Sequence, residues 1–580
     1  MSHDQSEFRA RMDYFCVFSR CSFLSCRIRQ IKRPKMRVLN RLSSLVLIIL
    51  VASVLLILMN VVVLHKIWQE QVNLREGPMK MLLAPAPPID DINLNIDSKN
   101  DVNPNINGDA KIDSPQRQIV ANLPLNPITN VKSGPTLWIH AKQLESGYLK
   151  HVFNVFESLG FATNGGENNW DVLWSHEYPF EELDHVIRRM KPGQKVNHFP
   201  GSGYITNKVS LATSEFKFVP KAFKLPEGKT KFQNYIKRFP NKLWVQKSNN
   251  HRGIRILAPN ELDLSKEGTF VQEYISDPLL IDGHKFDIGV YAVLTSINPI
   301  RAYVVETEAL FRFCPVKYYP FDASNVDKYV VGDIYTALWK IPTFYKLYKQ
   351  RGFTFKESFN YYLKSQGQSP KEFWDKLKMA IASVYIEKEK FLIQANSHFK
   401  SSRNFFELVR FDFVLDKDFN IYLMEANMSP NLSSRTHEEN ARLYEHVIFN
   451  ILSVVGIASR AALNFPNIVL DDDNMEVSDA DINVFSDRCM APECKSSNCT
   501  LWKCRLCNYC MTPREKLIAK MAYLEHINRG NTRRILPPVA DTAEELAILT
   551  QTQISQESEE NKFMSLWFLG QCQRDATWCH

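Results

Sequence analysis

The chain of 580 residues predicts an α/β (α+β) core held behind a single membrane-crossing helix and followed by a cysteine-rich tail. Three observations predict this. Leu42 to Leu64 is apolar and uncharged, strand-length apolar runs recur across polar turns between Trp244 and Asn431, and eight cysteines fall between Cys489 and Cys579. The parts divide as a basic cytosolic tail at 1–41, the helix at 42–64, a disordered stem at 65–134, the core at 135–465 and the cysteine-rich region at 466–580.

The first element is the helix. Only Ser43, Ser44, Ser53 and Asn60 interrupt its apolar run, and about 20 such residues cross a bilayer. It starts too far into the chain and runs too long for a cleaved signal peptide. Arg27, Arg29, Lys32, Arg33, Lys35, Arg37 and Arg41 precede it, against Lys66, Arg75 and Lys80 after it. Positive charge stays cytosolic, so the expectation is a single-pass type II membrane protein with a lumenal or extracellular core. A core facing the cytosol is the alternative. The stem, from about Gly77 to Asn130, is rich in Asn, Asp and Pro and poor in aromatics, a composition that cannot bury enough surface to fold. The net charge of +8 is concentrated near the amino terminus, which argues against a nucleic-acid partner.

Within the core, VRFDFVLDKDFNIYLMEANMSPNL from Val409 reads as two strands about a polar turn near Asp418. Strand alternation puts Leu423, Glu425 and Asn427 on one face and Asp412 opposite Glu425. Three oxygen-bearing side chains then converge. Magnesium at nucleotide sites takes one or two carboxylates plus phosphate oxygens, so Asp412, Glu425 and Asn427 form a candidate metal set. Glu425 lies in an apolar run, where an unpaired carboxylate is costly.

Earlier strings add cations. Lys247 ends the strand-like LWVQK and precedes a polar loop closing at Arg252, Gly253 and Ile254, an arrangement suited to phosphate. Val271 to Ile275 (VQEYI) reads as a strand entering a hinge. In HKFDIGVYAVL from His284, Lys285 and Asp287 share a face, and Arg312 lies in the strand-like LFRF. Together these four strings resemble the nucleotide and metal site of ATP-grasp ligases, most closely the tubulin tyrosine ligase-like family, in a membrane-anchored, polyglutamylase-type form. The resemblance runs from about Trp138 to Leu463. It implies an ATP-grasp fold, with ATP and Mg2+ as cofactors. Lys247, Arg252, Gly253, Ile254 and Lys285 would take phosphates, Asp287 ribose, and Gln272, Glu273, Tyr274 and Ile275 the adenine edge. Asp412, Glu425 and Asn427 would bind metal, Arg312 and Lys285 would be catalytic, and Arg312, Tyr335 and Thr336 would meet substrate. Lys208, in VNHFPGSGYITNKVSLA from Val196, matches a basic residue of the family.

The implied activity is polyglutamylation. A carboxylate on an acidic tubulin tail, or on another acidic protein, is phosphorylated by ATP and then attacked by the amine of free glutamate. Two departures favour an alternative, a nucleotide-binding scaffold without ligation. Gly289 stands where the family carries an arginine near the reacting phosphoryl group, and GDIYTALWK from Gly332 lacks the family's Thr-Asn pair. Restoring the family residue with Gly289→Arg is expected to raise any activity if the rest of the site is intact, and no incorporation even then would favour the scaffold.

In the tail, Cys489, Cys494, Cys499, Cys504, Cys507, Cys510, Cys572 and Cys579 suit disulfides in a lumenal setting, while the CxxC spacing of Cys504, Cys507 and Cys510 also suits zinc. Asn427, Asn431 and Asn498 begin glycosylation sequons. A lumenal core would not meet cytosolic tubulin, so a lumenal amino-acid ligase with a different acceptor is a third reading.

Overall fold

The computed structural model describes residues 134–248, 254–458, 476–496, 499–553 and 557–580, all within one compact unit. The segments 1–41 and 42–64, all but the last residue of 65–134, and Arg252, Gly253 and Asn498 lie outside the described residues. Among the described residues, no helix is long and apolar enough to cross a membrane.

Three layers follow one another along the chain. First comes a parallel sheet of β1 (Leu137–His140), β2 (Val172–Ser175) and β3 (Lys195–Val196), in that order. Parallel neighbours need a crossover. Between β1 and β2 it includes α1 (Lys150–Ser158), which buries Val152, Val155 and Phe156. A short helix, α2 (Lys208–Ala212), is capped by the Asn207 side chain, which accepts from the Ser210 amide at 3.0 Å.

The second layer is antiparallel: β4 (Ala222–Leu225), α3 (Lys229–Arg238), β5 (Trp244–Ser248), β6 (Arg255–Leu257) and β7 (Thr269–Glu273), with sheet order β4-β7-β5-β6. Helix α3 is held by Phe232, whose ring meets Trp244 edge-on at 4.8 Å. Trp244 anchors the start of β5, so Lys247 at its end is fixed from behind.

The third layer is built round one long strand. It contains β8 (Leu280–Ile281), β9 (His284–Ile297), β10 (Ile300–Val305), β11 (Leu310–Phe313), β12 (Thr336–Ala337), β13 (Glu407–Leu415) and β14 (Ile421–Asn427). Strand β9 pairs with β13 through Ile288–Leu294, with β11 through Phe286–Gly289 and with β10 through Ala292–Ile297. Such a strand is buried on both faces and reads as a nearly continuous apolar run. The 27-residue helix α4 (Pro370–Asn396) begins with a Ser369 cap and Pro370 in the first turn, both favourable there. It lies under the sheet, where Tyr385 meets Phe411 edge-on at 5.6 Å. Phe411 and Phe413 therefore point into the core, and Arg410 and Asp412 point the other way. Helix α5 (Asn440–Val454) adds Leu443, Val447, Ile448 and Ile451 to the same core.

The turn between β13 and β14 falls where the sequence places it, and Asp412 pairs with Glu425 as expected. One detail differs. The ladder shifts between Asp412 and Phe413, so Phe413 faces Leu423 and Met424 is the extra residue of a bulge. Leu423 thus turns into the core at 1% exposure, away from the face of Glu425 and Asn427. A bulge re-aims the strand, which is why strict alternation misplaces Leu423.

The cysteine-rich region is joined to the core. Its eight cysteines pair as Cys489–Cys507, Cys494–Cys504, Cys499–Cys510 and Cys572–Cys579. The zinc alternative is not the arrangement seen. Helix α6 (Pro513–Ile527) starts with a Thr512–Glu515 capping box. Strand β15 (Thr532–Leu536) then pairs with β10 and extends the core sheet. Helix α7 (Glu559–Arg574) completes a second apolar core, in which the Trp567 indole donates to the Ile482 carbonyl at 2.9 Å.

Glu525 of α6 ties the two cores together. It accepts from Arg301 Nε at 2.8 Å and Nη2 at 2.9 Å, from Thr295 Oγ1 at 3.0 Å and from Tyr303 Oη at 3.2 Å, all of them buried. Truncating one member of a buried pair strands the other charge. Glu525→Ala should therefore lower unfolding free energy by about 3–5 kcal/mol in denaturant titration, and Glu525→Gln by less. A loss below about 1 kcal/mol for Glu525→Ala would show that this pair does not hold the C-terminal region to the sheet.

Candidate functional site

The upper face of the β9 sheet gathers the chemistry. Strand alternation puts Lys285, Asp287 and Gly289 of β9 on that face, and cross-strand register sets the rest beside them. Arg312 lies opposite Asp287, Asp412 opposite Gly289, Glu425 opposite Asp412, and Asn427 opposite Arg410.

At the centre is the Asp412 carboxylate, 2% exposed. Its Oδ2 accepts from Arg312 Nη2 at 2.9 Å, Arg410 Nη2 at 2.8 Å and Asn427 Nδ2 at 3.1 Å, and its Oδ1 accepts from Arg410 Nε at 2.7 Å. Arg312 also grips Asp287 in a two-pronged pair, Nε to Oδ1 at 2.9 Å and Nη2 to Oδ2 at 2.7 Å. The planar fork of arginine makes such pairing specific. Burial pushes the Asp287 carboxyl up to about 6 against the pull of Arg312, and the nearby Asp412 adds to the rise.

Glu425 faces Lys208 of α2, Nζ to Oε2 at 2.7 Å, and Asn427 Nδ2 reaches its Oε1 at 3.2 Å. Burial would raise its carboxyl, but Lys208, Asn427 and Arg410 outweigh that and hold it at about 2. The Asn427 amide thus sits between Asp412 and Glu425, so the three predicted ligands do converge. Reversing the amide would aim its oxygen between two carboxylates, an arrangement that only a cation relieves. Among the described residues, no group of three or more His, Cys, Asp or Glu side chains could hold a metal unaided. Two carboxylates and an amide fit a hard cation that keeps several positions for phosphate and water.

The second gathering is cationic. Lys247 Nζ donates to Gln272 Oε1 at 2.9 Å. Lys285 Nζ donates to the Tyr329 carbonyl at 3.0 Å and lies 4.6 Å from the centre of the Tyr274 ring. Burial lowers both ammonium groups to about 8 from the usual 10.5; for Lys247, Glu425 opposes the drop, and for Lys285, Cys314 and Asp287 do. Among the described residues, neither lysine has a carboxylate in contact. A lysine depressed in the fold binds fewer protons than in the unfolded chain, so both subtract from stability at neutral pH, and the loss fades as pH rises from about 8 towards 10.5. A bound polyanion would reverse that cost.

The remaining predicted residues fall round these two. The Glu273 and Tyr274 amides are committed to the Lys221 and Leu243 carbonyls, each at 2.8 Å. Glu273 pairs with Lys242, and Tyr274 Oη donates to Tyr318 Oη at 3.2 Å. Ile254 packs with Val245, Tyr274 and Tyr329. Thr336 pairs with Phe313 at the edge of the sheet. Tyr335 stacks on His437 at 4.0 Å and accepts from Asn440 Nδ2 at 2.7 Å, and burial raises its phenol. A cleft of about 960 Å³ opens beside the Glu425 end, lined by His176, Tyr178, Tyr204, Lys208, Asn427 and Met428.

Arg410 was not singled out from the sequence. Its signal was there, two residues before Asp412 in an otherwise apolar strand, where an arginine needs a buried acid. His437 and Asn440 carried no comparable signal.

A sequence model of the tubulin-tyrosine ligase family matches residues 187–462. The chain is 40% identical over 446 residues to "Probable tubulin polyglutamylase ttll-15" of Caenorhabditis elegans, covering 75% of this chain and 84% of that protein. It is 29% identical over 300 residues to "Tubulin polyglutamylase TTLL6" of Mus musculus, covering 48% of this chain and 36% of that protein. It is 26% identical over 336 residues to "Tubulin monoglutamylase TTLL4" of Mus musculus, covering 54% of this chain and 26% of that protein.

The two depressed lysines set a pH dependence. Tripolyphosphate affinity should be flat up to about pH 7 and fall as pH passes about 8, by up to about tenfold per unit for each lysine that must be protonated. Calorimetry in buffers of different ionisation enthalpy should show proton uptake on binding near pH 8.5, a value set about half a unit above those lysines. Lys247→Met should weaken binding and flatten the fall. An unchanged profile in that variant would remove Lys247 from the anion site.

Proposed function

Because the chain belongs to the tubulin-tyrosine ligase family, we propose that it is an ATP-dependent amino-acid ligase that joins glutamate to acidic protein tails, with tubulin as the first acceptor to test. The observation that carries this reading is the meeting of two environments, a cationic one built from β5 of the second layer and β9 of the third, and an oxygen-rich one on β13 and β14. Lys285 is buried and Lys247 half-buried, neither has a carboxylate in contact among the described residues, and Asp412, Glu425 and Asn427 converge beside them.

Lys247 and Lys285 would hold phosphate oxygens, and Asp412, Glu425 and Asn427 would hold magnesium. ATP held there would supply the phosphoryl group that activates a carboxylate, and magnesium would neutralise the charge on it. The amine of glutamate would then displace phosphate: the C–N bond forms as the C–O bond to phosphate breaks, the nitrogen gives up a proton to solvent, and ADP and phosphate leave. The chain's own side chains need form no covalent bond; they position reactants and face developing charge with fixed cations. Arg312 has Nη1 still uncommitted to Asp287 or Asp412 and could take a substrate carboxylate there. The cleft bounded by Lys208 and Asn427 gives an acidic tail a route to the metal end.

A second reading concerns the compartment. Four disulfides are favoured in an oxidising setting, in keeping with a type II anchor at 42–64 and a lumenal core. In that setting the acceptor is an acidic protein other than cytosolic tubulin.

Glu425→Gln should cut the magnesium-dependent part of ATP affinity by about tenfold or more and abolish incorporation of labelled glutamate into tubulin. Equal magnesium dependence in variant and wild type would sink the ligand assignment. For the compartment, Asn431 is exposed and open to glycosylation. Protein from secretory cells should lose mass on endoglycosidase treatment, with the shift removed by Asn431→Gln and Asn498→Gln together, and its core should resist protease in intact microsomes. A core digested by external protease would place it in the cytosol.

A further inference from the structure

Gly289 lies under a foreign side chain. A Cβ built on it would sit 2.8 Å from Arg410 Cδ, 3.3 Å from Arg410 Cγ and 3.2 Å from Asp412 Oδ1. No real Cβ tolerates the first of these distances. Gly289 and Arg410 belong to adjacent strands, since Gly289 pairs with Asp412 and Arg410 with Tyr291. The Arg410 stem therefore runs along β13 and crosses β9 at the one residue without a side chain. Its backbone conformation does not demand glycine there, because Gly289 is not among the residues with positive φ. What demands glycine is the space that Arg410 fills.

Arg410 is 4% exposed, and its Nε and Nη2 are both spent on Asp412, at 2.7 and 2.8 Å. A cation so deep in the sheet is costly unless its partner needs it. Asp412 is that partner, and it is also the carboxylate shared by Arg312 and Asn427.

Resting on the ligase reading above, we propose that Gly289 and Arg410 form one exchanged unit: Arg410 supplies from β13 the fixed positive charge that β9 lacks at 289, and acts as a positioning residue that holds Asp412 in one orientation for the metal. Gly289 is then no sign of a lost reaction. The expectation that Gly289→Arg raises activity is reversed, because a second guanidinium would be driven into the volume Arg410 occupies.

The test is a double-mutant cycle on the full chain, comparing wild type with Gly289→Arg, Arg410→Gly and the pair together, with Arg410→Lys as a conservative control. Three quantities are read: denaturant stability, ATP affinity with and without magnesium, and labelled glutamate incorporation. Each single change should cost about 10–100-fold in the magnesium-dependent part of ATP affinity, as losing a partner of a metal-binding group does. The double variant should recover to within about threefold of wild type, a residual cost of well under the tenfold that one lost partner carries. Arg410→Lys should recover only part, because an ammonium cannot make the two-pronged pair. A double variant no better than the worse single change would overturn the proposal, as would a neutral or improved Gly289→Arg. Coupling seen in stability alone would make Arg410 a packing residue and overturn it too, and so would a wild type whose ATP binding ignores magnesium. If the affinity cycle closes as expected while no variant, wild type included, incorporates glutamate, the exchange stands and the ligase reading falls.

Discussion

Four strands meet at one buried carboxylate. Asp412 lies opposite Gly289 on one side and Glu425 on the other, and it receives four hydrogen bonds from Arg312, Arg410 and Asn427. Register, side-chain parity and charge all depend on it. Slip β13 by one residue and Phe411 or Phe413 would enter the polar face while Asp412 entered a core of aromatic rings, unpaired. Burying an isolated carboxylate is prohibitive, so the ion network fixes register as firmly as the apolar pattern does. The bulge at Met424 belongs to the same constraint, because it lets Glu425 face Asp412 while Leu423 stays in the core.

What the sequence made legible follows the range of each interaction. The β13–β14 hairpin was readable because its turn is local: counting outward from Asp418 brings Asp412 to within one residue of Glu425, and the bulge makes up the difference. Lys247, Lys285 and Asp287 were readable as a set through their resemblance to a family, and register then placed Lys285 and Asp287 on the face of Asp412. The bulge was not readable, since nothing in YLMEAN distinguishes one extra residue from strict alternation. The partnership of Gly289 and Arg410 was not readable either. The two are far apart in sequence, and only the β9–β13 register makes them neighbours. Read alone, a glycine in place of an arginine looks like a deletion of charge; read with its neighbouring strand, it is a charge entering from the other side.

The C-terminal region shows the same dependence on pairing. Its cysteines marked it as a separate stapled unit, and three of its disulfides do enclose a compact knot between Cys489 and Cys510. Yet β15 lies on the outer edge of the ligase sheet beside β10, and Glu525 reaches the buried Arg301. An exposed sheet edge is a liability, and here a later part of the same chain covers it. TRRIL at 532–536 is too short and too charged to announce a strand by pattern. Its two-sided burial comes from the core it joins.

The charge count explains why the site is built at a cost. Lys208, Lys247, Lys285, Arg312 and Arg410 set five positive groups against the three carboxylates Asp287, Asp412 and Glu425. Folding selects against such an excess, and the depression of Lys247 and Lys285 to about 8 is that cost made visible. Arginine cannot answer burial by giving up its proton, so the guanidinium groups lie where carboxylates answer them. Lysine can, and among the described residues no carboxylate touches Lys247 or Lys285. The division follows from chemistry. Arg312 and Arg410 hold Asp287 and Asp412 with charges that pH does not alter, whereas Lys247 and Lys285 carry charges that it does. A ligand that brings negative charge would restore the stability lost to that depression, so the electrostatics here select for an anion.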